Sequence, residues 1–436
     1  MIEKKETWGI AGGGILGMSL AHQLAKSGYK VILYEAANDL GGLAASWQLN
    51  NIIWDKFYHV ILLSDTNTRE LLKELNLEKE INWVETKTGF YTEGKLYSMS
   101  NTLEFLKFPP LGLIDKMRLG ATIFFASKIK NWKKLEQVSV ESWLQKWSGK
   151  NTFNKIWLPL LKAKLGDNYK NASAAFIWAT IQRMYSARKE GLKKEMFGYV
   201  TGGGYSRILK EFYSVLVKDG VEIKTGYAVN KVYKSDAQIK FEFSNGSIET
   251  VDKVILTMPS PIVLNICPDL STEEKEKLKN IKYLGVVCAS LLLKKPLDKY
   301  YVTNITDSFA PFTGVIEMSA LVDKKEFNGE NLVYLPKYVS PDDPIFNKTD
   351  EEIKEEFFCA LMKMYPHINE NDLIYFKVAR AKNVFALSTL NYSQNLPDIK
   401  TSVPGLYILN SAHIVNGTLN VNETLGLVKN KLREII

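Results

Sequence analysis

Closely spaced glycines near the start of the chain constrain its fold more than any other feature. Gly12, Gly14 and Gly17 follow the apolar segment TWGIA and precede ILGMSLAHQLAK, whose apolar residues recur with helical spacing. Between a strand and a helix, the first glycine of such a set permits a tight turn and the second lets the backbone approach a pyrophosphate. The third lets the helix pack closely on the strand. The pattern therefore predicts a βαβ unit in which a helix N-terminus stabilises the phosphates of a dinucleotide.

An acidic residue at the end of the next predicted strand indicates which dinucleotides fit. The strand KVILYE ends at Glu35, 18 residues beyond Gly17. A carboxylate at this position is expected to accept hydrogen bonds from ribose hydroxyls. It would repel a 2′-phosphate, so the sequence argues against NADP at this site.

A second glycine pair helps to identify which dinucleotide binds. Gly41 and Gly42 lie in the segment EAANDLGGLAASW and are followed by small residues. This segment resembles the extended motif E-x-x-x-x-x-G-G-R-x-x-S of the flavin amine oxidase, protoporphyrinogen oxidase and phytoene desaturase superfamily, with Leu43 where the arginine usually stands. In that superfamily the loop crosses the pyrophosphate and ribityl chain of FAD, so the resemblance implies that FAD is the cofactor. In this part of the chain it assigns to FAD the residues Gly12, Gly14, Ile15, Leu16, Gly17, Glu35, Ala36, Gly41, Gly42, Leu43 and Ala44.

Two later segments continue the resemblance. In the middle of the chain it places Val229 against the adenine through its backbone. In the C-terminal segment GLYILNSAHIVNGTLNVNETLGLVKNKL, Asn410 occupies the position that contacts the ribityl phosphate, although the glycine usually found before it is absent. Asn420, Val421 and Asn422 lie where the last helix begins, and their N–H groups are expected to stabilise negative charge on the reduced flavin.

Two side chains are candidates for the chemistry itself. The segment NIIWDKFYHVILLSD follows the glycine-pair loop and is similar to the stretch K-Y-G-P-H-I-F-H-T-D of UDP-galactopyranose mutases. The resemblance places Tyr58 and His59 near the flavin, where a histidine with its ordinary pKa of about 6.5 can exchange protons at neutral pH. The alternative is that His59 is a strand residue whose ring only satisfies a backbone carbonyl. The histidines and cysteines share no metal-ligand spacing, so no metal site is predicted.

The order of strand and helix patterns predicts an α/β fold in two interleaved parts. A Rossmann-like FAD-binding domain with a parallel sheet is expected from residues 1–65, 198–270 and 376–436. A mixed α+β substrate-binding domain is expected to be inserted from residues 66–197 and 271–375. The chain has no repeats and no Pro-rich linker, which favours interleaved domains over domains in series.

Composition excludes several classes of protein. The net charge of +8 over 436 residues is moderate and lacks the concentrated basic patch of a nucleic-acid-binding protein. Three isolated cysteines are typical of a reducing compartment. The start MIEKKETW shows no signal-peptide pattern, and the longest uncharged apolar run, Leu119–Ser127, is too short to span a bilayer. We therefore expect a cytoplasmic protein that does not bind nucleic acid.

A helical segment at residues 101–135 has two interpretations. From Leu113 onward it carries six basic residues and a single acidic one, Asp115, among its apolar runs. Such a segment suits a peripheral contact with an anionic membrane and the admission of a lipid-linked substrate. The alternative is a helix of the substrate domain with an apolar core face and a solvated basic face. Beyond this segment, five residues are candidates for binding an anionic substrate, with none singled out: Lys162, Lys164, Arg183, Tyr185 and Arg188.

Three functions fit these predictions. The first is an FAD-dependent oxidoreductase of the amine oxidase and protoporphyrinogen oxidase type, which removes a hydride from a C–N or C–C unit of a small-molecule or lipid-like substrate. The second is a mutase that resembles UDP-galactopyranose mutase, in which reduced FAD acts on a sugar nucleotide with no net redox change. The third is a flavin-stabilised accessory protein of an envelope polysaccharide pathway.

Overall fold

The structure, a computed structural model, describes residues 6–186 and 195–436 as strands, helices and short connections. The strands are β1 (Thr7–Ala11), β2 (Lys30–Glu35), β3 (Ser46–Leu49), β4 (Ile52–Asp55), β5 (Ile61–Leu62), β6 (Ile81–Glu85), β7 (Thr88–Thr92), β8 (Lys95–Ser98), β9 (Met196–Val200), β10 (Glu222–Thr225), β11 (Val229–Ser235), β12 (Gln238–Phe243), β13 (Ile248–Val251), β14 (Lys253–Leu256), β15 (Tyr283–Leu293), β16 (Val302–Ile305), β17 (Gly314–Glu317), β18 (Asn331–Val339), β19 (Leu373–Ala386) and β20 (Leu406–Ile408). The helices are α1 (Ile15–Lys26), α2 (Thr66–Glu74), α3 (Thr102–Lys107), α4 (Leu113–Ala126), α5 (Val140–Ser148), α6 (Lys150–Thr152), α7 (Leu158–Leu165), α8 (Ala174–Ser186), α9 (Tyr205–Lys218), α10 (Ser260–Ile266), α11 (Thr272–Asn280), α12 (Asp350–Met364) and α13 (Val421–Ile435).

A five-stranded parallel sheet forms the first part of the molecule. Its order is β10-β2-β1-β14-β20, so three distant stretches of the chain build one sheet. Helices α1, α9 and α13 cover one face with a core of buried aliphatic residues. The antiparallel sheet β11-β12-β13 covers the other face, where Phe241 and Phe243 pack on Tyr34. The predicted α/β class with a Rossmann-like parallel sheet is confirmed.

A seven-stranded mixed sheet forms the second part. Its order is β19-β15-β18-β17-β16-β7-β8, and α12 packs beside β15 and β19. Helices α4, α5, α7 and α8 share a separate apolar core with Phe90 of β7 and Leu284 of β15. The predicted boundary at residue 376 falls inside β19, because this strand pairs with β15 along its length and belongs to the larger sheet.

A small antiparallel sheet joins segments that the sequence assigned to different parts. In it β9 lies between β5 and β6, with Ile61 opposite Gly198 and Trp83 opposite Gly198 on the other side. The β3–β4 hairpin packs against the seven-stranded sheet through Trp54, whose ring lies 4.9 Å from that of Phe327. Within the described ranges, none of the helices has the length and apolar character needed to cross a membrane.

A buried carboxyl in the larger sheet makes stability depend on pH. Glu317 is 2% exposed, and its oxygens accept hydrogen bonds from the backbone N–H groups of Leu297 and Asp298 at 2.9 and 3.0 Å. Burial raises the pKa of Glu317 to about 7. Because the folded chain holds this proton more tightly than the unfolded chain, the contribution is fully present below the unfolded pKa of about 4.3 and is lost as the pH rises through 7.

We expect the substitution Glu317→Gln to remove this pH dependence. Between pH 5 and pH 8 the unmodified protein should lose about 2–3 kcal/mol of unfolding free energy relative to the variant, because this range covers most of the pKa difference and each unit is worth 1.36 kcal/mol. Denaturant unfolding of both proteins at the two pH values measures this difference. Parallel pH profiles would show that Glu317 is ionised in the folded protein at neutral pH.

Candidate cofactor and active site

The glycine turn has the geometry that a pyrophosphate requires. Gly12 has a φ of +108°, and a Cβ on Gly17 would lie 1.8 Å from the carbonyl oxygen of Gly12. Gly14 precedes α1 without a side-chain cap, and the first turn of that helix contains no acidic residue. The first N–H groups of a helix have no intrahelical acceptor, so this N-terminus suits an anionic ligand. Ile15 and Leu16 are buried behind the turn.

Glu35 connects the end of β2 to the glycine turn. One carboxylate oxygen accepts from the Gly13 N–H at 2.6 Å, and the other accepts from the Ala37 N–H at 2.8 Å. A carboxylate oxygen has two lone pairs, so acceptor capacity remains for ribose hydroxyls. Ala36 is exposed beside it. The binding of ribose by this residue stays a prediction.

The second glycine pair lies directly against the first turn. The Gly41 N–H donates to the Gly13 carbonyl at 2.8 Å, and Gly14 forms a bridge with Gly41. Gly42 has a φ of +57°, and a Cβ there would lie 3.1 Å from Cα of Gly14. Leu43 is half-buried and Ala44 is buried in the short turn that follows. The two loops thus meet through backbone alone, as a site for a dinucleotide backbone requires.

Val229 lies close to the same edge of the parallel sheet. The segment before β11 is bonded to the end of β2, because the Tyr227 N–H donates to the Glu35 carbonyl at 2.8 Å and the Gly226 N–H donates to that of Ala37. Val229 is half-buried and begins β11. The structure therefore brings Val229 near Glu35, and its contact with adenine stays a prediction.

Asn410 and Asn420, which were predicted to contact FAD, form side-chain hydrogen bonds with other groups of the protein. Asn410 is 1% exposed; its amide donates to the Met258 carbonyl and its oxygen accepts from the Ala412 N–H, both at 3.0 Å. Asn420 caps α13 by accepting from the Glu423 N–H at 3.0 Å. Their side-chain oxygens are thus used within the protein, and their contacts with FAD stay predictions.

Asn422 has a structural role that the sequence did not indicate. Its side-chain oxygen accepts from the N–H groups of Asn67 and Thr68, at 2.9 and 3.3 Å. It therefore caps α2, which lacks a side-chain cap from Asp65, the residue that precedes it. Val421, the first residue of α13, is half-buried beside it. The Glu423 N–H is bonded to the Asn420 side chain, so the N–H groups of Asn420, Val421 and Asn422 remain the predicted contact with the flavin.

His59 and Tyr58 point to different partners. His59 Nδ1 lies 2.9 Å from the Phe57 carbonyl oxygen and 3.6 Å from a carboxylate oxygen of the buried Asp55. The carbonyl contact is the one expected of a structural histidine, and the catalytic role stays a prediction. The Tyr58 hydroxyl bonds to that of Tyr338 at 2.8 Å, and burial raises the pKa of Tyr58 to about 12, so this phenol is neutral at physiological pH.

A polar cavity of about 180 Å³ lies at the N-terminus of α13. Its lining residues come from the loop before α2, from α8 and from the C-terminal segment: Ser64, Asp65, Ala179, Gln182, Arg183, Asn416, Gly417, Thr418, Asn420, Asn422 and Glu423. The buried Asp65 receives two hydrogen bonds from the Arg183 guanidinium, at 2.8 and 3.2 Å, and one from the Leu62 N–H. Burial raises the pKa of Glu423, against the lowering influence of Asn422 and Arg183. Sequence reasoning named Arg183 as a candidate for an anionic substrate but missed its pairing with Asp65 beside this helix N-terminus.

The five candidates for an anionic substrate do not form one cluster. Arg183 lines the cavity, whereas Lys162 is exposed and Tyr185 is half-buried. Lys164 lies 3.1 Å from the centre of the Tyr338 ring, and burial lowers its pKa to about 7. Arg188 falls outside the described residues. Within residues 6–186 and 195–436 there is no group of three or more His, Cys, Asp or Glu side chains that could hold a metal ion.

The fold and the glycine turns define a dinucleotide-binding oxidoreductase of the flavoprotein class. The flavin containing amine oxidoreductase family matches residues 17–410, and the chain belongs to this family. FAD is accordingly its cofactor, and the uncapped α1 N-terminus with the two glycine loops and Glu35 fits that group.

Curated relatives at low identity are desaturases. The chain is 23% identical to the 15-cis-phytoene desaturase of an Oncidium hybrid cultivar over 427 residues, which cover 92% of this chain and 72% of that enzyme. The enzyme of Synechococcus elongatus is 21% identical, with 92% of this chain and 89% of the relative covered. The chain spans 65% of the length of the Glycine max relative.

Solved structures show the same fold. A putative protoporphyrinogen oxidase from Exiguobacterium superposes with a TM-score of 0.76 at 15% identity, covering 99% of both chains. A reduced UDP-galactopyranose mutase superposes with a TM-score of 0.74 at 14% identity, covering 99% of this chain and 95% of the mutase. At these identities the likeness shows the fold alone, and the family match over residues 17–410 is what confirms the predicted superfamily.

The close contact at Gly17 leads to a prediction about cofactor retention. The variant Gly17→Ala places a methyl group on the Gly12 carbonyl, so α1 must move away from β1 and distort the turn. We expect about 2–3 kcal/mol of destabilisation and a loss of most of the FAD that co-purifies with the protein. Denaturant unfolding and the flavin absorbance per protein measure the two effects.

Gly120→Ala is the matched control for this variant. A Cβ on Gly120, within α4, would meet no heavy atom within 4 Å. This change should retain FAD and be neutral or stabilising by about 0.5–1 kcal/mol. Full FAD content and unchanged stability in Gly17→Ala would contradict the assigned role of the turn.

Proposed function

We propose that this flavin-dependent oxidoreductase removes a hydride from a C–C unit of a lipid-like substrate, as a desaturase does. The observation that carries the proposal is the similarity to phytoene desaturases, which covers 92% of the chain. FAD supplies the hydride acceptor when bound. Formation of a C=C bond also releases one proton, so the protein must provide a group to receive it.

His59 is the candidate for receiving that proton. A backbone carbonyl can only accept, so Nδ1 of His59 carries the hydrogen that bonds to the Phe57 oxygen. In the neutral ring Nε2 is then the unprotonated nitrogen, which can act as a base. An oxygen of the buried Asp55 lies 3.6 Å from Nδ1 and favours the same placement of the hydrogen.

The N-terminus of α13 is the candidate for electrostatic support. The N–H groups at this helix N-terminus would stabilise the negative charge of a reduced flavin. The nearby Asp65 accepts two hydrogen bonds from the Arg183 guanidinium, which places a positive group beside that carboxylate. Asn422 fixes α13 against α2, which keeps that N-terminus in place.

Anaerobic reduction of the bound flavin tests the reaction class. The holoenzyme is mixed with a polyene hydrocarbon in detergent micelles, with a polyamine and with UDP-galactopyranose in separate reactions. We expect the hydrocarbon to bleach the oxidised flavin absorbance and to yield a product lighter by two hydrogens. If only the polyamine bleaches the flavin, the reaction is oxidation of a C–N unit and the proposed C–C reaction is wrong.

Two other results would overturn the proposal. Turnover of the sugar nucleotide that requires pre-reduced flavin and consumes no electrons would assign a mutase. Failure of all three compounds to react, with oxidised or reduced flavin, would favour an accessory protein.

The variant His59→Ala tests the proposed base. We expect turnover to fall at least about tenfold, with FAD retained, because a positioned base contributes a factor of this size or more. The control is His367→Ala, since His367 also bonds a backbone carbonyl, that of Pro296 at 3.0 Å, but is exposed. Equal kinetics in the two variants would leave His59 as a structural residue.

A further inference from the structure

Helix α4 leaves several large apolar residues exposed to the solvent, while its buried face holds two polar residues beside Leu119 and Ala126. Five large apolar side chains are between 48% and 75% exposed, namely Leu113, Ile114, Met117, Phe124 and Phe125. Spacings of three and four residues place Ile114, Met117 and Phe124 or Phe125 on one stripe. The buried positions include Lys116 and Thr122. A helix at a water-exposed surface has the opposite arrangement.

Neighbouring elements extend this apolar surface. On α3, Leu103 is 70% exposed and Leu106 is 46% exposed. At the end of α5, Trp147 is 45% exposed and its ring centre lies 6.4 Å from that of Phe125. These exposed apolar residues are together called the docking face: Leu103, Leu106, Leu113, Ile114, Met117, Phe124, Phe125 and Trp147. Exposed apolar surface of this extent on a folded protein marks a binding site.

The charges around the docking face are almost all positive. The exposed basic residues of this region are Lys107, Arg118, Lys128, Lys130, Lys133, Lys134 and Lys146. Lys128 Nζ lies 5.5 Å from the centre of the Phe124 ring. Three acidic residues lie on the same helices: Asp115 accepts from Asn151 at 2.6 Å, Glu104 accepts from Ser98 at 2.6 Å, and Glu141 accepts from Gln145 at 3.0 Å. The complementary partner is therefore apolar with an anionic surface.

We propose that the docking face binds the surface of a bilayer that contains anionic phospholipid. The apolar side chains would enter the acyl boundary, and the lysines would contact the lipid phosphates, with α4 lying in the plane of the membrane. This inference is independent of the substrate proposed above, because it depends only on the exposed residues of α3, α4 and α5.

The docking face is connected to the polar cavity. Gln182 of α8 lines that cavity and donates to the carbonyls of Ala126, the last residue of α4, and Ile129, at 2.9 and 3.3 Å. Trp178 of the same helix also donates to the Ile129 carbonyl. Membrane contact through α4 would therefore hold the cavity close to the bilayer.

Vesicle co-sedimentation of the holoenzyme tests the proposal. The probes are vesicles of phosphatidylcholine alone and vesicles with added phosphatidylglycerol. We expect binding to the anionic vesicles that weakens as salt is raised, because salt screens surface charges. The variant Lys128→Gln/Lys130→Gln/Lys133→Gln/Lys134→Gln should weaken binding by roughly fivefold for each lysine that contacts the surface.

The apolar contribution is tested with matched triple variants. Ile114→Ser/Met117→Ser/Phe125→Ser should reduce vesicle binding at least about tenfold. Val217→Ser/Ile248→Ser/Ile262→Ser is the control, since these residues are 53%, 60% and 41% exposed outside the docking face. Retained FAD absorbance in both variants shows that each has folded.

Three outcomes would overturn the proposal. The first is an absence of binding to anionic vesicles, and the second is equal binding by the two triple variants. The third is a concentration-dependent dimer, seen by sedimentation without lipid, that only the α4 triple variant abolishes. That dimer would show that a second copy of the chain covers the docking face.

Discussion

The close approach of α1 to the end of β1 is the contact on which the cofactor side of the molecule depends. Without a side chain at Gly17, the helix can begin directly beside the Gly12 carbonyl. The Gly13 N–H is then placed to hold the carboxylate of Glu35, and the Gly13 carbonyl accepts from the Gly41 N–H. One backbone contact thus positions a helix N-terminus, an acidic side chain and a second glycine loop around the same space.

Polar contacts between distant parts of the chain complete the site. Asp65 precedes α2 and would ordinarily cap it, but its carboxylate is bonded to the Leu62 N–H and to Arg183. Asn422 supplies the missing cap from the last helix. Because Asn422 of α13 caps α2, and Asp65 before α2 bonds to Arg183 of α8, the three helices are joined at the cavity. The orientation of the α13 N-terminus therefore depends on residues from three separate segments.

Local patterns predicted much of the fold but little of this cavity. The β1–α1–β2 unit is confirmed, because its glycines and Glu35 lie within one short stretch and their spacing is set by the unit itself. Asn422 was predicted for its N–H group, whereas its side chain bonds to Asn67, 355 residues away in sequence. Arg183 was one of five basic or aromatic candidates, and nothing local distinguished it from the others. The predicted domain boundary at residue 376 cuts through β19, because the sheet to which a strand belongs depends on its pairing partner. That partner is β15, which is distant in sequence.

The two interpretations of residues 101–135 differ in which face of α4 is turned inward, and polar contacts fix that choice. Near the start of the helix, Lys116 Nζ donates to the Leu106 carbonyl at 2.8 Å, which holds its side chain inside. At the end, the Ala126 carbonyl accepts from Gln182 at 2.9 Å. Rotation of the helix to bury Ile114 and Phe125 would break both contacts and leave buried polar groups unpaired, at a cost of about 1–3 kcal/mol each. The outward apolar stripe is therefore built into the packing of the helix.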